Sequence, residues 1–308
     1  MKTVTGEMTR RQIQRLPRQG ECVGVEKRIA FVTDSTAGLT KEQIERHNIT
    51  VVPLSVIFGD KAYREGVDLT TDEFYPMLST SKSLPTTSQP PVGEFVEAFE
   101  HLLTNHDAVM CLLLSAHLSG TLQSATAAAE MVGGDIYVVD SGISSYGIEG
   151  PLLDGIELFH GGGTPEEIVE LWQKELAGQR AFFLVDTLEQ LHRGGRIGGA
   201  AAVFGALLQI KPILTIRDGK IDLYDKVRTH RRALERILSE FHADAEKDVP
   251  LQVGVVHSQR LDDALKLRDE LAAQYPIHRF DVAELSPVVG THTGAGLLAL
   301  IYYPRALS

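Results

Sequence analysis

Cysteine is nearly absent: the 308 residues hold two, Cys22 and Cys111. Neither their number nor their spacing builds a disulfide framework or a thiolate metal site, so a reducing compartment is expected. Cys111 sits inside an apolar run and reads as a small buried hydrophobe. Basic charge is short as well. Lys and Arg number 30 against 41 Asp and Glu, a net charge of -11, and nucleic acid is therefore not an expected partner. No apolar run approaches the roughly 20 residues of a membrane-spanning helix. The expectation is a soluble, cytoplasmic chain without stable membrane insertion.

Signature motifs are missing too. There is no Walker A sequence, H-E-x-x-H, C-x-x-C or G-x-S-x-G elbow, which removes the commonest nucleotide, zinc and hydrolase chemistries. Gly294-Ala295-Gly296 with Ala299 fits G-x-G-x-x-A, but no acidic residue follows about 20 positions later, as a dinucleotide fingerprint requires.

What is present is a globular composition, 43% hydrophobic and 23% charged, in a chain long enough for two cores. Residues 1–28 hold seven Lys and Arg against three Asp and Glu and no apolar core, and read as a disordered basic extension. Beyond it, buried strands are expected over 28–34, 50–57, 108–114 and 136–139. Helices alternate with them: Thr40/Gln43 and Thr70/Glu73 form capping-box signatures, helical patterns cover 93–103 and 121–132, and Thr164-Pro165 with Glu167 opens another helix. Such alternation implies a parallel sheet, with ligands at the carboxyl ends of its strands. Residues 79–91 read as a polar loop.

The pattern changes near Gly178, giving expected domains of 29–178 and 179–308. In the second, 213–216 and 221–224 flank Asp218-Gly219, a type I′ hairpin signal, so this half is partly antiparallel. Helices over 229–241 and 261–274 alternate there with strands over 251–257 and 278–282.

Four segments concentrate polar chemistry. Thr86-Thr87-Ser88-Gln89-Pro90 and Ser115-Ala116-His117-Leu118-Ser119-Gly120-Thr121 gather hydroxyls, the second directly after a strand and at a helix start, where anions are favoured. Ordinary capping and turn chemistry accounts for either segment alone. Arg193-Gly194-Gly195-Arg196-Ile197-Gly198-Gly199 combines close backbone approach with a planar cation, or is a flexible surface turn. His292-Thr293-Gly294-Ala295-Gly296 supplies an imidazole, and Arg228 a further cation, with structural and solvated readings beside the ligand reading. A carboxylate or a phosphate fits these groups equally well.

Together these segments resemble the DegV family of fatty acid-binding proteins, whose bacterial members include the FakB subunits of fatty acid kinase. The landmarks, in order between Ile29 and Tyr303, are Val32-Thr33-Asp34-Ser35-Thr36, Thr87-Ser88-Gln89-Pro90, Leu118-Ser119-Gly120-Thr121, Val139-Asp140-Ser141, Gly194-Gly195-Arg196-Ile197, Lys211-Pro212, Val227-Arg228-Thr229 and His292-Thr293-Gly294. The resemblance implies an α/β fold of two domains, the N-terminal one with a parallel sheet and the C-terminal one α+β with a mainly antiparallel sheet. It also implies that Thr87 and Ser119 hold a carboxylate, that Arg196, Arg228 and His292 surround it, and that the acyl chain lies between core elements. Ser88, Gly120 and Thr121 complete the candidate ligand-binding set. One departure stands out: the family usually has two serines where Ser115-Ala116 occurs, and His117 follows.

The expected function is that of a carrier: it sequesters a long-chain fatty acid and presents the carboxylate to an ATP-dependent kinase subunit. The acyl phosphate then feeds phospholipid synthesis. No catalytic residue, metal or cofactor beyond the bound lipid is expected. Two other readings stay open, a serine-type acyl hydrolase using Ser119 and His292, and a sensor of a phosphate ligand.

Overall fold

The computed structural model describes residues 13–15, 27–206, 210–247 and 249–307. Its first half contains strands β1 (Ile13–Arg15), β2 (Ile29–Asp34), β3 (Thr50–Val52), β4 (Ser55–Phe58), β5 (Lys61–Arg64), β6 (Thr86–Ser88), β7 (Ala108–Leu113) and β8 (Ile136–Asp140). Helices α1 (Lys41–His47), α2 (Thr71–Thr80), α3 (Val92–Leu103), α4 (Thr121–Val132), α5 (Tyr146–His160) and α6 (Pro165–Gly178) alternate with and follow them. In the extension expected to be disordered over 1–28, residues 13–15 instead form β1; apart from these and 27–28, it lies outside the described residues.

β3, β2, β7 and β8 lie side by side in parallel, and β1 joins β8 antiparallel. All six residues of β7, Cys111 included, are buried, because helices cover both faces of a parallel sheet. Phe95 and Phe99 of α3 with Ala125 and Ala128 of α4 pack on one face; Ile148 and Leu152 of α5 with Trp172 of α6 pack on the other. The capping boxes at Thr40, Thr70 and Thr164 all form.

Two expectations need correction. The strand expected over 50–57 is broken at Pro53, which has no N–H to give a ladder. β3 stays in the parallel sheet, whereas β4 joins β5 and β6 in a separate antiparallel sheet of order β5-β4-β6. The loop expected over 79–91 consequently contains β6, whose Thr87 faces Val56 across the ladder.

The second half comprises β9 (Arg180–Leu184), α7 (Glu189–Arg193), β10 (Lys211–Arg217), β11 (Lys220–Val227), α8 (His230–Ala245), β12 (Leu251–His257), α9 (Leu261–Ala272), β13 (Ile277–Glu284), α10 (Pro287–Thr293) and β14 (Leu298–Pro304). Its six-stranded sheet has the order β11-β10-β9-β14-β12-β13 and is antiparallel except between β12 and β13. Arg217 pairs with Lys220 around Asp218 (φ 49°) and Gly219 (φ 74°), the positive angles a type I′ turn demands. Helices α8 and α9 cover one face through Ile237, Phe241, Leu267 and Leu271. The other face, with Phe183, Leu214, Val256 and Ile301, forms a core with residues of α5, α7 and the α10 region. Among the described residues, no helix is long and apolar enough to cross a membrane.

Candidate functional site

Three structural elements bring the polar segments to one place. β6 is held by β4 and carries Thr87. The start of α4 carries Ser119, Gly120 and Thr121, where Ser119 Oγ and Thr121 Oγ1 share a hydrogen bond of 2.9 Å. From the second half of the chain, α10 brings His292 to Thr87, with Nε2 and Oγ1 2.8 Å apart across 205 residues of sequence.

Close backbone approach explains two glycines here. A Cβ on Gly194 would lie 2.3 Å from His292 Nδ1, and one on Gly120 would lie 1.9 Å from Gln89 Oε1. Gln89 in turn donates from Nε2 to Ser124 Oγ at 2.9 Å, which fastens β6 to α4. Arg196 follows α7 and donates to the carbonyls of Leu118 (Nε, 3.1 Å) and Gly194 (Nη1, 2.6 Å), spanning both halves of the site.

Burial, with the nearby Arg196 guanidinium second, pushes His292 down to about 4. The imidazole is therefore neutral at pH 7, with one nitrogen carrying hydrogen. The site offers hydroxyls, a neutral imidazole, a guanidinium and a helix start. That set suits an anion whose charge must be balanced away from bulk water.

These groups line a cavity of about 380 Å³, within the range of roughly 300–1,000 Å³ usual for small-molecule sites. Thr87, Ser88, Ser119, Gly120, Arg196 and His292 all line it. Apart from Gln89, Ser144, Ser145 and Thr293, the remaining wall is apolar, with Leu118, Ile143, Phe183, Ile216, Ile221 and Leu297 prominent. Among the described residues, Arg196 is the one Lys, Arg, Asp or Glu in this lining. None of the described His, Cys, Asp and Glu residues form a group of three or more able to hold a metal ion.

Not every expected residue belongs to this cluster. Arg228 is exposed and outside the lining: Ile221 at the near end of β11 faces the cavity, and the strand then carries the chain roughly 20 Å onward. Thr121 is fully buried behind Ser119 and does not line the cavity itself. Ser115 is turned to another task, donating from Oγ to the Gly219 carbonyl at 2.7 Å and so tying the β10–β11 turn to the first half. Sequence reasoning did not single out Ser144 and Ser145, which also line the cavity, although the Ser-rich stretch after β8 was a signal for them.

A family model for uncharacterised proteins of the DegV family matches residues 28–305. Protein DegV of Bacillus subtilis is 41% identical over 276 residues, covering 89% of this chain and 98% of that protein. A fatty acid-binding DegV family protein from Thermus thermophilus superposes with a TM-score of 0.86 at 36% identity, covering 90% of this chain and 99% of that one. For the fatty acid-binding DegV of Bacillus subtilis the TM-score is 0.85 at 40% identity, with 91% and 100% covered. A stearic acid-binding protein from Eubacterium ventriosum gives 0.82 at 27% identity, with 90% and 98% covered.

Proposed function

This chain belongs to the DegV family, and from that membership and the form of its cavity we propose that it binds a long-chain fatty acid and presents the carboxylate to a partner kinase. The observation that carries this reading is one cavity with two characters, a largely apolar wall and an anion-suited cluster at Thr87, Ser119, Arg196 and His292. Each buried methylene contributes about 0.8 kcal/mol, so the tail dominates affinity. The head fixes orientation, since a carboxylate taken from water must be hydrogen-bonded and balanced in charge. Ser119 and Thr87 donate hydroxyl hydrogens to it, and the neutral His292 ring and Arg196 complete its surroundings. The extent of apolar wall favours a lipid over a small phosphate metabolite.

The chain carries no phosphate-loop sequence, so ATP is supplied by the separate kinase subunit, and the acyl phosphate then passes to phospholipid synthesis in the cytoplasm. The two domains divide near Gly178, where α6 ends, and the ligand lies between them. A serine hydrolase needs Ser119 and His292 in partnership, but Ser119 Oγ pairs with Thr121 and His292 Nε2 with Thr87.

Mass spectrometry of lipid extracted from freshly purified protein tests the reading. About one equivalent of free fatty acid is expected. Protein that is lipid-free and also takes up no added fatty acid refutes it, and acyl phosphate formation by this chain alone refutes the division of labour with a kinase.

A further inference from the structure

His292 owes its place to a short helix whose start is not capped by its own sequence. Helix α10 has seven residues, and the Ser286 side chain at its N-cap makes no cap hydrogen bond. The start is met from the other half of the molecule. Glu65 Oε1 accepts the Val288 N–H at 2.6 Å, a buried hydrogen bond between residues 223 apart in sequence.

Glu65 is well placed to hold something still. It follows β5, is 5% exposed, and its own N–H donates to the Leu54 carbonyl at 2.8 Å. Leu54 N–H donates in turn to Ser35 Oγ at 3.0 Å, which roots the segment in the loop after β2. A carboxylate at a helix start is also the favoured sign against the helix dipole. Burial pushes the Glu65 carboxyl up to about 7, so this group is kept in the interior at a cost.

From the helix so held, Val288, Val289, His292 and Thr293 all line the cavity. His292 lies one turn beyond Val288, about 6 Å along the axis. Other braces act at the two ends of the helix: before it, Tyr75 OH donates to the Leu285 carbonyl at 3.1 Å and Leu285 N–H to the His257 carbonyl at 2.7 Å, and after it Ser258 Oγ donates to the Gly294 carbonyl at 3.0 Å. Glu65 is thus the brace at the first turn itself, one turn before the ring that faces Thr87.

We propose that Glu65 is a positioning residue for the anion-binding cluster: by holding α10 at the Val288 N–H it sets His292 opposite Thr87, and so sets how strongly the cavity prefers an acid head to a neutral one on the same tail. This rests on the fatty acid reading of the cavity. The role is separable from general stability, because loss of position at His292 weakens acids selectively, whereas a loosened fold weakens every ligand.

The test measures binding of dodecanoate and dodecanol to the full chain for wild type, Glu65→Ala and Glu65→Gln, with thermal melting alongside. Wild type should prefer the acid by roughly 10- to 100-fold, the worth of a hydrogen bond to a charged group. Glu65→Ala should lower that ratio at least fivefold while dodecanol affinity stays within about twofold. Glu65→Gln retains an acceptor for Val288 N–H and should keep the wild-type ratio. If Glu65→Ala does not fold, Glu65→Asp, whose shorter side chain withdraws the acceptor, should show the same loss. An unchanged ratio in the withdrawn-acceptor variant, equal weakening of both ligands, or a wild type that does not discriminate between them overturns the proposal. A wild type that binds neither ligand overturns the fatty acid reading, and this inference with it.

Discussion

Replacing Gly194 by Ala tests the contribution of His292 without replacing it. Gly194 has φ -75° and ψ -7°, a helical conformation that alanine adopts freely, so the change adds no backbone strain. It adds one methyl group in the wrong place. The new Cβ would lie 2.3 Å from His292 Nδ1, 3.0 Å from its Cε1 and 3.0 Å from the Gln190 carbonyl oxygen. Carbon and nitrogen atoms need about 3.5 Å, so the ring must retreat by roughly 1 Å. A shift of that size disturbs the 2.8 Å hydrogen bond between its Nε2 and Thr87 Oγ1. Thr87 and the ring, no longer fixing one another, then present their hydrogens poorly to the acid head, and losing one hydrogen bond to that charged group costs about 1.5–3 kcal/mol, or roughly 10- to 100-fold in affinity for a fatty acid. A fatty alcohol of equal length should bind nearly as before. A crystal structure and paired titrations of the Gly194→Ala protein check both halves of the argument. Wild-type acid affinity, with the ring still bonded to Thr87, would refute it.

Other outcomes follow from the same geometry. Ser119→Ala should reduce phosphorylation of the bound lipid by the partner kinase far more than lipid occupancy, because one head-group bond worth about 1.5–3 kcal/mol is set against about 0.8 kcal/mol for every buried methylene. Occupancy and acyl phosphate measured on the same preparation decide this, and unchanged phosphorylation counts against a head-positioning role. His292 titrates at about 4 in the fold against 6.5 ordinarily, so between those values the unfolded chain binds the extra proton. Stability should therefore be insensitive to this group above about pH 6.5 and decline below it, by at most about 3 kcal/mol once pH 4 is passed. Denaturation of wild type and His292→Gln across that window measures the difference, and a bound fatty acid anion should raise the His292 value in an NMR titration. Gly254→Ala should destabilise the protein by about 1–3 kcal/mol through overpacking, since its Cβ would lie 2.2 Å from the Tyr146 ring. An unchanged urea midpoint would mean that Tyr146 yields without cost.

Features encoded within a few residues were legible from the sequence. The capping boxes at Thr40, Thr70 and Thr164 are contacts between residues three apart, the Asp218-Gly219 turn needs only its own positive φ angles, and β7 declares itself as an unbroken apolar run. Helix α5 was not legible. It contains Gly147, Gly150, Gly155 and Pro151, which weaken any local helix signal, yet Tyr146 through Ile156 are all buried. Its glycines make sense only in three dimensions: a Cβ on Gly150 would strike Tyr303 Oη at 2.4 Å, and one on Gly155 would strike Trp172 Nε1 at 2.5 Å. Burial against distant side chains stabilises this helix where propensity does not.

The site divides in the same way. Sequence alone located hydroxyls, glycines and a histidine suited to an anion, because residue type determines which hydrogen bonds are possible. It could not show that Arg228 is exposed and outside the cavity lining, nor that Thr87 lies on β6 instead of in a loop. Only the family resemblance put Thr87 and His292 around one ligand; the pattern of residues itself could not bond them across 205 residues, nor Glu65 to Val288 across 223. A local pattern records the preferences of the residues that form it, whereas such meetings depend on how three sheets and the helices around them pack, and only the tertiary structure decides that.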